Sequence, residues 1–228
     1  MEINYQEIAR MIDHSLLDPG LTDRALEEGC NLAVRYNVAG VCVMPFYVRQ
    51  ACRILEGTGV IAGTTVGFPH GGQTTAVKIQ EAEQALLQGV HELDMVVNIS
   101  KALSADWDYV RQEIEAVLDA AHGAGGKLKV IFENCYLNDE QKIALCRICG
   151  ELGVDWVKTS TGYGQGGATL HDVSLMRKYS PPQVQIKAAG GIRTLDRLLE
   201  MRDAGATRIG ASRTQSILDE LRQRLGET

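Results

Sequence analysis

Val184-Gln185-Ile186-Lys187-Ala188-Ala189-Gly190-Gly191 is a short apolar run that stops at a lysine and breaks into paired glycines. A helical stretch follows over 195–204, closed by Gly205, and 207–209 opens the next apolar run. Strand, glycine loop, helix, strand is one β/α unit. A few apolar residues between turn signals read as a strand covered on both faces, and the longer 3.6-period stretch as the helix that covers it. The unit recurs in both directions along the chain. Toward the N-terminus, 156–158 precedes a helix over 170–179, 127–132 one over 138–152 closed by Gly153, and 92–97 one over 106–122. Farther back, 60–66 precedes 74–88, 38–44 precedes 47–56, and 12–15 precedes 22–37, with Thr22 as an N-cap. Toward the C-terminus, 207–209 precedes a helix over 216–225. Eight such units in 228 residues predict an α/β fold, a (β/α)8 TIM barrel spanning 1–228 as one domain. A doubly wound open sheet is the main competitor. It calls for fewer strands and a G-x-G-x-x-G turn after the first of them, which this chain lacks.

The composition fits an ordinary globular chain, 45% hydrophobic, with aromatics at only 5%, so aliphatic side chains must build the core. The formal net charge is −6 and no basic run concentrates positive charge, which argues against nucleic acid as a partner. No stretch has the length and apolarity of a membrane span, and 1–7 has neither the basic start nor the apolar run of a signal peptide. A cytoplasmic location is expected. Six cysteines then read as free thiols, and Cys146-Arg147-Ile148-Cys149, inside a helical pattern with no second pair, as buried small side chains.

Barrel chemistry sits at the C-terminal ends of the strands. In order, those ends carry Asp13, Cys42, Gly67, Asp94, Glu133, Lys158, Lys187 and Ser212. A lysine ending a buried strand reaches water poorly, so burial lowers its pKa, and a second ammonium lowers it further. An unperturbed lysine, with a pKa of about 10.4, is protonated at neutral pH. Lowering it by roughly 3 units takes about 4 kcal/mol, which burial and one like charge can supply. Lys158 and Lys187 therefore point to Schiff-base chemistry, and the residues alone leave open which one reacts. Asp94 interrupts an apolar strand and needs a cation; Lys158 and Lys187 are its expected partners, and Lys129 can join them. Glycines of 159–167, the Gly190-Gly191 pair and the loop Gly210-Ala211-Ser212-Arg213 lie where barrels bind phosphate. His70 reads as structural, and His14 as a candidate for substrate hydroxyls. The five histidines show no metal-ligand spacing, so a metal-dependent reaction is disfavoured.

These motifs resemble those of the deoxyribose-phosphate aldolases, a class I aldolase family, over essentially the whole length. The most specific pieces are Glu92-Leu93-Asp94-Met95-Val96-Val97-Asn98, Val157-Lys158-Thr159-Ser160-Thr161-Gly162 and Lys187-Ala188-Ala189-Gly190-Gly191-Ile192-Arg193-Thr194. Val66-Gly67-Phe68-Pro69 and Lys129-Val130-Ile131-Phe132-Glu133 add support. The resemblance implies reversible cleavage of 2-deoxy-D-ribose 5-phosphate to acetaldehyde and D-glyceraldehyde 3-phosphate, with no metal or other cofactor, within deoxyribonucleotide catabolism. It implies Lys158 as the Schiff-base lysine, Lys187 as the group that depresses its pKa, and Asp94 as the proton-transfer carboxylate. It further implies Cys42 lining the pocket, Asp13 and Ser15 near the substrate hydroxyls or proton relay, and Gly162, Gly190, Gly191 and Ser212 as the phosphate cradle. Its partners are then a phosphorylated sugar and acetaldehyde, with no nucleic acid and no membrane, and the protein a homo-oligomer, a dimer or larger. Three features depart from common relatives. Arg213-Thr214 follows Ser212, where Arg213 either adds a bidentate phosphate contact or turns outward and leaves Ser212 alone; Asn134 follows Glu133; and the sequence ends Gly226-Glu227-Thr228 without a tyrosine.

Overall fold

The eight apolar runs pair side by side in chain order, every pair parallel, and the last closes on the first through Ile12↔Ile209. The computed structural model describes residues 4–226, so what was read on 1–3 and 227–228 lies outside them. The strands are β1 (Ile12–Leu16), β2 (Gly40–Val43), β3 (Ile61–Val66), β4 (Glu92–Val96), β5 (Lys127–Ile131), β6 (Trp156–Lys158), β7 (Gln185–Ala189) and β8 (Arg208–Ala211). The helices are α1 (Tyr5–Ala9), α2 (Asp23–Arg35), α3 (Val48–Leu55), α4 (Thr75–Leu87), α5 (Ile99–Leu103), α6 (Trp107–Gly123), α7 (Asp139–Leu152), α8 (Leu170–Tyr179), α9 (Leu195–Asp203) and α10 (Thr214–Leu225). This is the (β/α)8 barrel expected from the sequence. No helix among the described residues is long and apolar enough to cross a membrane.

Successive side chains on a strand point to opposite faces, and that alternation sorts the chemistry. Ile12, Val41, Leu93, Val130, Val157, Ile186 and Ile209 join the apolar core between sheet and helices. Their neighbours Asp13, Asp94, Lys129, Lys158 and Lys187 are just as buried, yet they bond to one another. The core is thus a ring around the barrel, and the axis of the barrel is ionic. The Thr22 cap and the Gly153 stop act as read, and a capping box that was not foreseen opens α7. The Thr22 hydroxyl accepts from Ala25 N at 3.2 Å, Asn138 and Gln141 form a reciprocal capping box, and Gly153 ends α7 at φ 75°. All six cysteines are free, with Cys146 and Cys149 buried on α7.

Several boundaries differ from the sequence reading. β8 runs to Ala211, and α10 starts at Thr214 rather than at Ser216. The helices α1 and α5 were not foreseen; five residues are too few to show a helical period. Their only local signal is an asparagine cap, Asn4 accepting from Gln6 N and Asn98 from Lys101 N.

The helix layer holds one fully buried ion pair, Lys78 of α4 with Glu113 of α6, at 2.9 Å. Lys78 Nζ also donates to the Val96 carbonyl at 2.8 Å, tying both helices to the end of β4. Replacing Lys78 by alanine strands the Glu113 carboxylate without a cation. The expected loss is about 3–5 kcal/mol of unfolding free energy, read from urea denaturation. An unchanged midpoint would contradict a structural role for the pair.

Candidate active site

The inward positions of the strands place three carboxylates against four bases inside the barrel. Asp94 Oδ2 accepts from Lys158 Nζ at 2.6 Å and from Lys187 Nζ at 2.7 Å, while Oδ1 accepts from Lys129 Nζ at 2.9 Å. Lys187 also donates to Asp13 Oδ2 at 2.5 Å. Lys129 meets Glu92 at 2.6 Å. Arg208 spans Asp13 at 2.6 Å and Glu92 at 3.1 Å, with its guanidinium over the Trp156 ring. Lys129 joins the network as the alternation of β5 implied. Glu92 and Arg208 were not singled out from the sequence; Glu92 lies two residues below inward Asp94, a signal that was available, whereas the position two above Arg208 is Gly210 and marks nothing.

One base is in excess, and the surroundings decide which. Burial pulls the Lys158 ammonium down; Asp94 counters this, the Lys187 charge adds to it, and the net result lies below the ordinary lysine value. Burial acts on Lys187 in the same direction, but Asp13 and Asp94 together outweigh it, so Lys187 lies above. Burial also opposes ionisation of Asp94, yet Lys129, Lys158 and Lys187 hold its carboxyl well below the usual range. The two lysines that look alike in sequence are therefore shifted in opposite directions. Burial pushes the Cys42 thiol up to about 11, with Asp94 adding to the effect, so it stays protonated near neutrality.

A cavity of about 350 Å³ opens at the C-terminal ends of the strands. Lys158 lines it, as do Ser15, Gly162, Gly190, Gly191 and Ser212. Those three glycines have φ of 89°, 88° and 80°, the left-handed region that a side chain disfavours. The two glycine loops also pack closely: a Cβ on Gly167 would lie 2.4 Å from the Gly190 carbonyl oxygen, which accepts from Ala168 N at 3.0 Å. Lys187, Asp94 and Cys42 are buried and do not line the cavity; Lys187 and Asp94 belong to the ionic network, in which Asp94 bonds Lys158. Asp13 sits low on β1, paired with Lys187 and Arg208, while Ser15, two residues on, reaches the cavity.

Other positions fall away from the cavity. Arg213 is exposed at the N-cap of α10 and does not line it, whereas Arg193 does. Arg193 stood in the quoted β7 motif, but nothing local marked it, because its exposed loop carries no periodic signal. His14 faces the helix layer, since β1 alternates between Asp13 and Ser15. Its Nδ1 lies 2.8 Å from the Thr214 hydroxyl, and burial lowers its pKa to about 4. His70 is exposed in a neighbouring hollow with Tyr136 and Tyr163. Away from the barrel mouth, Asp139, His171 and Asp172 converge between α7 and α8, which sequence spacing did not foresee. Lys142 Nζ lies 2.6 Å from Asp172 and 3.3 Å from Asp139, so a fixed positive charge already serves this cluster.

Glu133 lies two residues past the β5 end, in the left-handed region at φ 56°. Its carboxylate accepts from Thr161 N at 3.2 and 3.3 Å and from the Thr161 hydroxyl. The Tyr163 hydroxyl crosses the mouth to donate to the Leu17 carbonyl at 2.6 Å, and its ring packs edge-on against Phe68.

Comparison with known proteins bears on the family and the fold. Residues 8–216 match the model of the DeoC/LacD family of aldolases. The chain is 59% identical to a deoxyribose-phosphate aldolase of Rhodopirellula baltica, across 99% of this chain and 93% of that one. It is 46% identical to a deoxyribose-phosphate aldolase of Thermococcus gammatolerans, across 95% and 97% of the two chains. Among solved structures it is similar to the deoxyribose phosphate aldolase of Aeropyrum pernix, described as a tetramer, with a TM-score of 0.90 at 29% identity over 97% and 93% of the two chains.

Proposed function

The chain belongs to the DeoC/LacD family of aldolases, and on that premise we propose that it is a Schiff-base lyase that reversibly cleaves 2-deoxy-D-ribose 5-phosphate to acetaldehyde and D-glyceraldehyde 3-phosphate. One observation carries the assignment of roles: Lys158 is the member of the buried lysine–aspartate network that lines the cavity, and its amine is shifted toward the neutral form. The neutral amine adds to C1 of the open-chain sugar, giving a carbinolamine that loses water to an iminium. The C3 hydroxyl then gives up its proton, and the C2–C3 electron pair moves into the iminium. Two carbons remain on Lys158 as an enamine, and C3 to C5 leave as glyceraldehyde 3-phosphate. Protonation at C2 and hydrolysis release acetaldehyde and restore the amine.

Asp94, at 2.6 Å from Lys158 Nζ, serves the proton transfers at carbinolamine and imine, and Lys187 supplies the charge that keeps Lys158 depressed. Gly162, Gly190, Gly191 and Ser212 hold the phosphate, with Arg193 as the nearby cation, and Ser15 faces the sugar hydroxyls. In this reading Asp13 acts on the substrate only through Lys187, and Cys42 packs under the site as a neutral thiol. The whole barrel acts as one domain. The tetramer of the Aeropyrum pernix relative supports a homo-oligomer here.

The direct test is to incubate the protein with 2-deoxyribose 5-phosphate, reduce with borohydride and map the modified peptide by mass spectrometry. The expected result is a two-carbon adduct on Lys158, with acetaldehyde released in the unreduced control. An adduct on Lys187 would exchange the two lysine roles. No adduct would leave a sugar-phosphate-binding barrel without covalent chemistry.

A further inference from the structure

We propose that Glu133 is a positioning residue for the phosphate loop: its carboxylate fixes Thr161, and through Thr161 the turn at Gly162 on which preference for phosphorylated substrates depends. This rests on the aldolase reading above. Six carboxylates are buried among the described residues, and five have a basic partner. Asp13, Glu92 and Asp94 meet the interior bases, Glu113 meets Lys78, and Asp172 meets Lys142. Glu133, 2% exposed, has no lysine, arginine or histidine within ion-pairing distance among those residues. A buried carboxylate without a cation has to be held by hydrogen bonds.

Apart from a long contact from the Cys135 thiol to Oε1 at 4.0 Å, those bonds come from one residue. Both Glu133 oxygens face the Thr161 amide, and one also takes the Thr161 hydroxyl proton. The hydroxyl, its proton committed, accepts from Tyr163 N at 3.0 Å. Gly162 lies between the two residues this network holds, in its left-handed turn on the cavity wall. The loop then folds over the carboxylate so closely that a Cβ on Gly164 would lie 3.2 Å from Glu133 Cδ. At its far side, Tyr163 is bolted to Leu17 across the mouth. Glu133 keeps a left-handed backbone that side chains disfavour, and the Asn134 amide beside it donates to the Thr159 carbonyl at 2.9 Å. The side-chain hydrogen bonds of Glu133 fix the Gly162 loop, and none of them reaches a lysine.

The experiment compares cleavage of 2-deoxyribose 5-phosphate with that of 2-deoxyribose, and inhibition by inorganic phosphate, in wild type, Glu133→Gln, Glu133→Gly and Thr161→Val. A glutamine has one accepting oxygen where the carboxylate has two. Glu133→Gln is expected to raise KM for the phosphorylated sugar and the inhibition constant of phosphate together, by about tenfold, the scale of one charge-assisted hydrogen bond. Turnover of 2-deoxyribose is expected to stay within about twofold, because Lys158 and Asp94 are untouched. Glu133→Gly relieves the left-handed backbone yet is expected to lose the same preference, as is Thr161→Val, which tests the contact even if the Glu133 variants do not fold. The proposal is overturned if Glu133→Gly keeps wild-type preference, if Thr161→Val leaves it unchanged, or if both substrates suffer equally. It is also overturned if KM falls on removing the charge. Should wild type release no acetaldehyde from either sugar, the aldolase reading fails. Calorimetric titration with inorganic phosphate then still decides the role of Glu133, and equal affinity in wild type and Glu133→Gln overturns it.

Discussion

Replacing Lys158 by methionine is expected to lower kcat for 2-deoxyribose 5-phosphate by about 10⁴-fold or more, because among the described residues no other amine lines the cavity to form the imine. Phosphate inhibition is expected to change little, since the glycine cradle does not depend on this side chain. The variant is also expected to remain folded. Asp94 keeps Lys129 at 2.9 Å and Lys187 at 2.7 Å, and three carboxylates then face three bases. Denaturation and steady-state rates measured on the same preparation separate these effects. Near-normal turnover in the methionine variant would end the Schiff-base assignment; a collapse of both stability and rate would mean that Lys158 is needed for the fold.

Asp94→Asn is expected to have the second-largest effect, and it falls on both properties. The amide cannot answer three ammonium groups, so the barrel axis is left with uncompensated positive charge. A loss of about 3–5 kcal/mol in unfolding free energy follows, with a fall in kcat of roughly 10²–10⁴ from the missing proton-transfer group. The pH dependence has a definite sign. The Asp94 carboxyl is held well below its unfolded value of about 3.9, so its contribution is fully present above that value. It is lost as pH falls from there through the depressed folded value. Wild-type stability should therefore drop steeply on acidification below about pH 4, and the asparagine variant should show a shallower slope in the same window. Urea midpoints across pH 2–6, an interval of the order where carboxylates titrate, would show it; parallel slopes would mean that Asp94 is not depressed.

Much of this was legible in the sequence because a charged residue on an apolar strand is conspicuous. Asp94, Lys158 and Lys187 stood out for that reason, and the glycines marked the loops that wrap the cavity. What was not legible depends on distance along the chain. The difference between Lys158 and Lys187 is set largely by Asp13, which is 174 positions from Lys187. The strap from Tyr163 to Leu17 spans 146 positions. Glu92 and Arg208 begin their strands, where a charged residue reads as the end of a loop. Arg193 and Arg213 look equivalent in sequence, each an arginine in a loop before a helix, and only the fold puts one on the cavity wall and the other outside it.

The mismatch of three acids and four bases along the barrel axis also bears on the covalent intermediates. An iminium on Lys158 restores the fourth positive charge, in surroundings that balance only three. The enamine is neutral and matches them. On the proposed assignment, the protein makes the electron-poor intermediate the less comfortable one, so electrons from the breaking carbon–carbon bond flow toward the nitrogen with the help of the barrel's own field. The resting amine and the enamine are the two matched states, and the iminium is the transient that joins them in both directions of the reaction.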